Sequence, residues 1–80
     1  MDESSMKELI EYIAKSLVES PGEATVTVLE RDTGLVLQLH VAPEDMGRVI
    51  GKQGRIAHAM RTLLKAASVR NGQRAMLEIV

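Results

Sequence analysis

The sequence contains no cysteine, phenylalanine or tryptophan, and only one tyrosine, Tyr12. Without cysteine there are no disulfides, thiolate metal sites or thiol nucleophiles, and the chain fits a reducing cytoplasm. Without aromatics the core must be built from Leu, Ile, Val, Met and Ala, and stacking of bases on an aromatic platform is largely excluded. No apolar run approaches the ~18 residues of a membrane span, and the Met1-Asp2-Glu3 start is acidic where a signal peptide carries positive charge. The expectation is a soluble, cytoplasmic protein. Eighty residues make room for one domain, spanning 1–80, and for no second one.

The net charge of −1 hides an asymmetry. From Met1 to Asp45 three Lys/Arg stand against ten Asp/Glu; from Met46 to Val80 seven Lys/Arg stand against Glu78 alone. Positive potential is thus concentrated in the C-terminal half, where a polyanion would feel it whatever the total charge. A solvated basic helix face would give the same count.

Met6, Leu9, Ile10, Ile13 and Leu17 recur near the helical period, which predicts an amphipathic helix over Ser5 to Glu19, ended by Ser20-Pro21-Gly22. Ala24 to Glu30 and Leu35 to Val41 are rich in β-branched and apolar residues, and Arg31-Asp32-Thr33-Gly34 between them has turn chemistry, so the pair reads as a hairpin. Pro43 opens a short helix to about Ile50, with Glu44 and Asp45 suited to the positive end of its dipole. A longer helix is predicted from Arg55 to Val69, with Ile56, Ala59, Met60, Leu63 and Ala67 on one face and Leu64 beside them. Asn71-Gly72 stops it, and Ala75 to Val80 is a third strand. The order α-β-β-α-α-β implies a two-layer α+β domain, three helices on one face of a three-stranded sheet.

The most informative stretch is Gly47-Arg48-Val49-Ile50-Gly51-Lys52-Gln53-Gly54-Arg55-Ile56, in which two glycines bracket two polar residues at a helix-to-helix junction. Glycine allows positive φ and close approach of a foreign backbone. The helix after Gly54 presents unpaired N–H groups and a partial positive charge, and Lys52 and Arg55 add full charges beside them. A phosphodiester suits these features best. A Walker A loop needs four residues between its glycines and Ser or Thr after the lysine; here there are three between Gly47 and Gly51, and Gln53 follows Lys52. His40 and His58, with no cysteine or acidic cluster to join them, do not make a metal site. No Ser/His/Asp order or carboxylate pair supports hydrolysis, so neither enzyme activity nor a cofactor is expected.

Val49-Ile50-Gly51-Lys52-Gln53-Gly54 resembles the G-x-x-G signature of KH domains, whose loop clamps about four nucleotides of single-stranded nucleic acid. The element order is similar to the type II, bacterial arrangement, and the whole chain resembles the small bacterial proteins that consist of one KH domain. That resemblance implies an RNA-binding protein, a chaperone or post-transcriptional regulator of RNA, which grips single-stranded RNA through Arg48, Val49, Ile50, Gly51, Lys52, Gln53, Gly54, Arg55 and Ile56. In this mapping Val49, Ile50 and Ile56 are candidates for an apolar side, with Ile50 and Val49 equally compatible with a place in the core, while Arg48, Lys52, Gln53 and Arg55 form the loop side. Many KH domains place a bulky aliphatic residue three positions after the second loop glycine. Here Ala57 stands there, with Ile56 one earlier, which implies a helix slightly rotated or repacked.

The resemblance further implies a homodimer, or a heterodimer with a second KH-domain protein. A module that keeps the KH fold and acts mainly through dimerisation is the competing reading, though a cationic Lys52-Gln53 loop favours retained binding. Apolar residues at Ile56, Ala57, Ala59, Met60, Leu63, Leu64, Ala66 and Ala67 exceed what one core-facing stripe absorbs, which points to an exposed edge around Met60 and Leu64 as the partner surface. The alternative is a helix that lies deep between the sheet and the N-terminal helix and buries both edges within one chain.

Overall fold

A computed structural model describes residues 3–80, and all their side chains except those of residues 3, 4, 52 and 71. The elements are helix α1 (Glu3–Leu17), strands β1 (Thr25–Arg31) and β2 (Gly34–His40), helices α2 (Met46–Ile50) and α3 (Arg55–Asn71), and strand β3 (Ala75–Ile79). The predicted order therefore holds, with the first two strands shifted by one residue and α3 two residues longer than its apolar pattern suggested. Short 3-10 turns at Pro21–Glu23 and Pro43–Asp45 begin at the two prolines, whose fixed φ suits a helical first position.

The sheet has the order β1-β2-β3, β1 antiparallel and β3 parallel to the central β2. A two-residue turn suffices for the first pairing. The second needs a crossover, which α2 and α3 provide. Pairing of Val26 with Leu39, Val28 with Leu37 and Leu37 with Leu77 places these side chains on one face, over which the helices pack. Met6, Ile10 and Ala14 of α1, Val49 of α2 and Met60, Leu64 and Ala67 of α3 close the core, with no aromatic among them. Tyr12 points outward, as the aliphatic composition requires of the rest.

The core face of α3 differs from the one its pattern suggested. Ala57, Met60, Leu64 and Ala67 are inside, Ile56 is half-buried, and Ala59 and Leu63 are exposed. Met60 and Leu64, expected at an exposed edge, are each only 1% accessible. The reason is that α3 is covered along one side by the sheet and along the flank by α1, so the stripe directed between them is buried and the surplus apolar residues fall on the opposite side. At its end, Gly72 N–H and Gln73 N–H donate to the carbonyls of Val69 and Ser68, the stop foreseen at Asn71-Gly72.

Asp45 behaves unlike its neighbour Glu44. Rather than lying free at the α2 dipole, its carboxylate is buried and makes no cap bond to α2. Oδ1 accepts the Glu19 amide and Oδ2 the Ser20 amide, each at 3.1 Å, which satisfies two donors left over where α1 gives way to the proline turn.

Candidate nucleic-acid interface

The two-glycine junction lies between α2 and α3. Gly51 N–H donates to the Gly47 carbonyl and ends α2, and Gly54 N–H returns to the Gly51 carbonyl at 3.3 Å. Three backbones here leave the right-handed region: Gly51 (φ 71°, ψ −179°), Gln53 (φ 56°, ψ 29°) and Gly54 (φ 74°, ψ 15°). Gly51 occupies a conformation that only glycine adopts readily, whereas Gln53 is the one non-glycine with positive φ among the described residues. This turn brings the chain from one helix into the next across four residues, Gly51 to Gly54. Gly54 caps α3 with no side-chain hydrogen bond, so the first-turn N–H groups of a 17-residue helix have no side-chain cap from that position.

Around this turn the nine residues expected at the site separate into groups. Gln53 and Arg55 are exposed at the tip, Ile50 is 37% accessible, and Ile56 is half-buried against Gly51. The Lys52 side chain lies outside the described residues. Val49 has no accessible surface and belongs to the core, because it points from α2 toward the sheet; it has nothing to offer a base. Arg48 is turned to the far side of α2, where Nη2 meets Oε1 of Glu19 at 2.7 Å. Ala57 does face the core, and the bulk missing there comes from Ile56 one position earlier.

A feature beyond the loop is a groove of about 560 Å³ between α3 and the edge strand β3. Buried Leu64 and Leu77 line it, with exposed Val69 and Met76 and the cations Arg61, Lys65 and Arg74 around them. Arg61, Lys65 and Val69 recur every four residues and share one side of α3, a spacing legible in the sequence. The approach of Arg74 and Met76 to that side depends on the crossover placing β3 beside α3. Three cations of the basic half, Arg61, Lys65 and Arg74, thus come together along one groove. Among the described residues no group of three metal-ligating side chains comes together, and no helix is long and apolar enough to cross a membrane.

An α-β-β-α-α-β chain with a mixed three-stranded sheet and a two-glycine turn between its second and third helices is a type II KH domain. The comparisons with known proteins agree and are narrower. The family described as KhpA/KhpB, KH domain, matches residues 7–79, and the chain belongs to it. It is 55% identical over 75 residues to the RNA-binding protein KhpA of Clostridium acetobutylicum, covering 94% of this chain and all of that one. It is 52% identical to KhpA of Listeria monocytogenes, at 94% and 99% coverage, and 44% identical to KhpA of Aquifex aeolicus, at 96% and 98%. Among solved structures, Aquifex aeolicus Era bound to GDP.AlF4- matches with a TM-score of 0.61 and 20% identity, over 94% of this chain and 29% of Era. That likeness speaks for the fold alone.

Proposed function

We propose that this protein binds single-stranded RNA in the cytoplasm, with phosphates crossing Gly51, Lys52, Gln53 and Gly54 and the following nucleotides running along the groove between α3 and β3. The observation that carries the reading is that one helix bears two features. The N-terminus of α3 is capped by a glycine, and further along the same helix lies a groove with an apolar floor and Arg61, Lys65 and Arg74 at its sides. From Gly54 to Val69 the helix runs about 22 Å at about 1.5 Å per residue, room for the roughly four nucleotides of a KH site. Relatives that share about half of their residues with this chain carry the name RNA-binding protein. Ile50 and Ile56 supply aliphatic contact beside the glycines, Arg55 a charge at the helix start, and binding rather than catalysis is the activity.

Such a short site gives modest affinity, and pairing with a second KH domain would raise it through effective concentration. The exposed side of α3 carries Ala59, Leu63 and Ala66, with Leu63 47% accessible, and this face suits a second copy or a KhpB-like partner. The role proposed is that of an RNA chaperone or post-transcriptional regulator working as one half of such a pair. The same face supports the second reading, a module that acts mainly through dimerisation.

The deciding experiment replaces Lys52 and Gln53 together by Asp. Anisotropy with a labelled single-stranded RNA should show binding lost by tenfold or more, on the order of what opposing charge at a phosphate contact costs, while the circular dichroism melt stays close to the parent. Unaltered RNA affinity would overturn the clamp and place RNA binding elsewhere on the chain.

A further inference from the structure

Arg48 stands three residues before Gly51, in the most cationic part of the chain, and its charge alone would assign it to a phosphate. Its contacts are with acids of this protein instead. Nη2 lies 2.7 Å from Oε1 of Glu19, and Nε lies 3.8 Å from Oδ1 of Asp45. Asp45 is 1% accessible and holds the Glu19 and Ser20 amides with its two oxygens. Glu19 is therefore fixed through its backbone by Asp45 and through its side chain by Arg48, both from the α2 segment.

Side chains on a helix lean toward its N-terminus, which for Arg48 means toward Asp45 and away from the glycine loop. A pair as exposed as Arg48–Glu19, at 52% and 70% accessible, is weak in isolation. What gives it direction is Asp45, buried beneath it. A helix of five residues cannot hold itself. Val49 anchors one side of α2 in the core, and the acid–arginine contacts tie the other side to the end of α1. Since Gly51 N–H is bonded to the last turn of α2, whatever sets the orientation of α2 sets where the loop amides point.

We infer that Glu19, Asp45 and Arg48 form a brace that positions the RNA clamp, with Arg48 a positioning residue and not a phosphate ligand. The inference rests on the RNA-clamp reading above. It has a counterintuitive sign: removing the negative charge of Glu19 weakens binding to a polyanion.

The test uses Glu19→Gln, Arg48→Gln and the double variant. Affinity for a single-stranded RNA oligonucleotide is measured at several salt concentrations, well below each variant's melting temperature. Each single substitution should lower affinity roughly three- to tenfold, and the double variant no further, because both remove the same contact. The slope of log affinity against log salt should stay at the parent value. Amide hydrogen exchange at Gly51–Gly54 should quicken in all three, a readout that requires no RNA. The brace is overturned if Glu19→Gln tightens binding, or if Arg48→Gln flattens the slope by about 0.7, the value for one lost phosphate contact on a single strand. Unchanged affinity and loop exchange with only a lower melting temperature would also overturn it. Failure of the parent itself to bind RNA would refute the clamp, while the loop exchange rates would still decide the brace.

Discussion

Ile56 closes over Gly51: a Cβ placed on that glycine would stand 2.6 Å from Cγ1 of Ile56 and 2.9 Å from its Cδ1. Together with a backbone at φ 71°, ψ −179°, this makes Gly51 the tightest point of the loop, held by the first turn of the helix it introduces. Gly54, three residues on, sits in the ordinary left-handed region with nothing within 4 Å of its missing Cβ. The two glycines of one motif thus have different reasons to be glycine.

Gly51→Ala should accordingly cost about 2–3 kcal/mol in urea unfolding, from strained φ/ψ plus a clash that Ile56 must move to relieve. Gly54→Asn, which keeps a left-handed conformation accessible, should cost less than about 1 kcal/mol. Equal losses at the two positions would contradict the loop geometry.

Lys52 and Arg55 of the glycine loop neutralise about two phosphates, so the loop alone should give log affinity against log salt a slope of roughly −1.4. Engagement of Arg61, Lys65 and Arg74 along the groove, as proposed, takes it toward about −3.5. Arg61→Gln with Lys65→Gln separates the cases: the slope falls if the groove carries RNA and stays put if only the loop does. Duplex RNA should bind more weakly than a single strand at equal salt, because its base edges are not free to enter the groove.

Met60 is buried and Leu63 is not, which opposes the fates of two charge substitutions on one helix. Met60→Asp should leave the chain unfolded or aggregated, since an unpaired carboxylate in an aliphatic core costs more than a small domain has to spare. Leu63→Asp should remain folded by circular dichroism and shift sedimentation toward monomer. An unchanged sedimentation profile for Leu63→Asp would place the partner surface elsewhere.

Asp45→Ala strands the amides of Glu19 and Ser20 and should destabilise by about 2–4 kcal/mol. Glu44→Ala, one residue away and exposed, should stay within about 0.5 kcal/mol. Thermal or urea unfolding of the pair checks this directly. Similar losses would mean that both carboxylates act only on the α2 dipole.

Much of this molecule is local, and local physics is readable in one dimension. The β-branched runs around Asp32-Thr33, the prolines at 21 and 43, the left-handed stop at Gly72 and the paired glycines 51 and 54 each act through backbone conformation within a few residues. For that reason the order of elements and the position of the loop follow from the amino acids alone. Apolar periodicity also showed that α3 carries more greasy surface than one stripe absorbs. It did not show which stripe faces inward, because Ala59, Met60, Leu63 and Leu64 are all compatible with the helical period.

That choice belongs to the tertiary structure. The crossover lays α3 along β3 and against α1, which buries Met60 and Leu64, leaves Leu63 outside, and brings Arg74 and Met76 to the side of Arg61 and Lys65 to make a groove. It also turns Asp45 inward to amides 25 and 26 residues earlier, and Arg48 away from the loop toward Glu19. The sequence by itself determined the elements and the two-glycine loop, because turns and helix stops are set by neighbouring residues. Which cations line the groove and which pair with acids of the protein was decided only by contacts between segments distant in the chain.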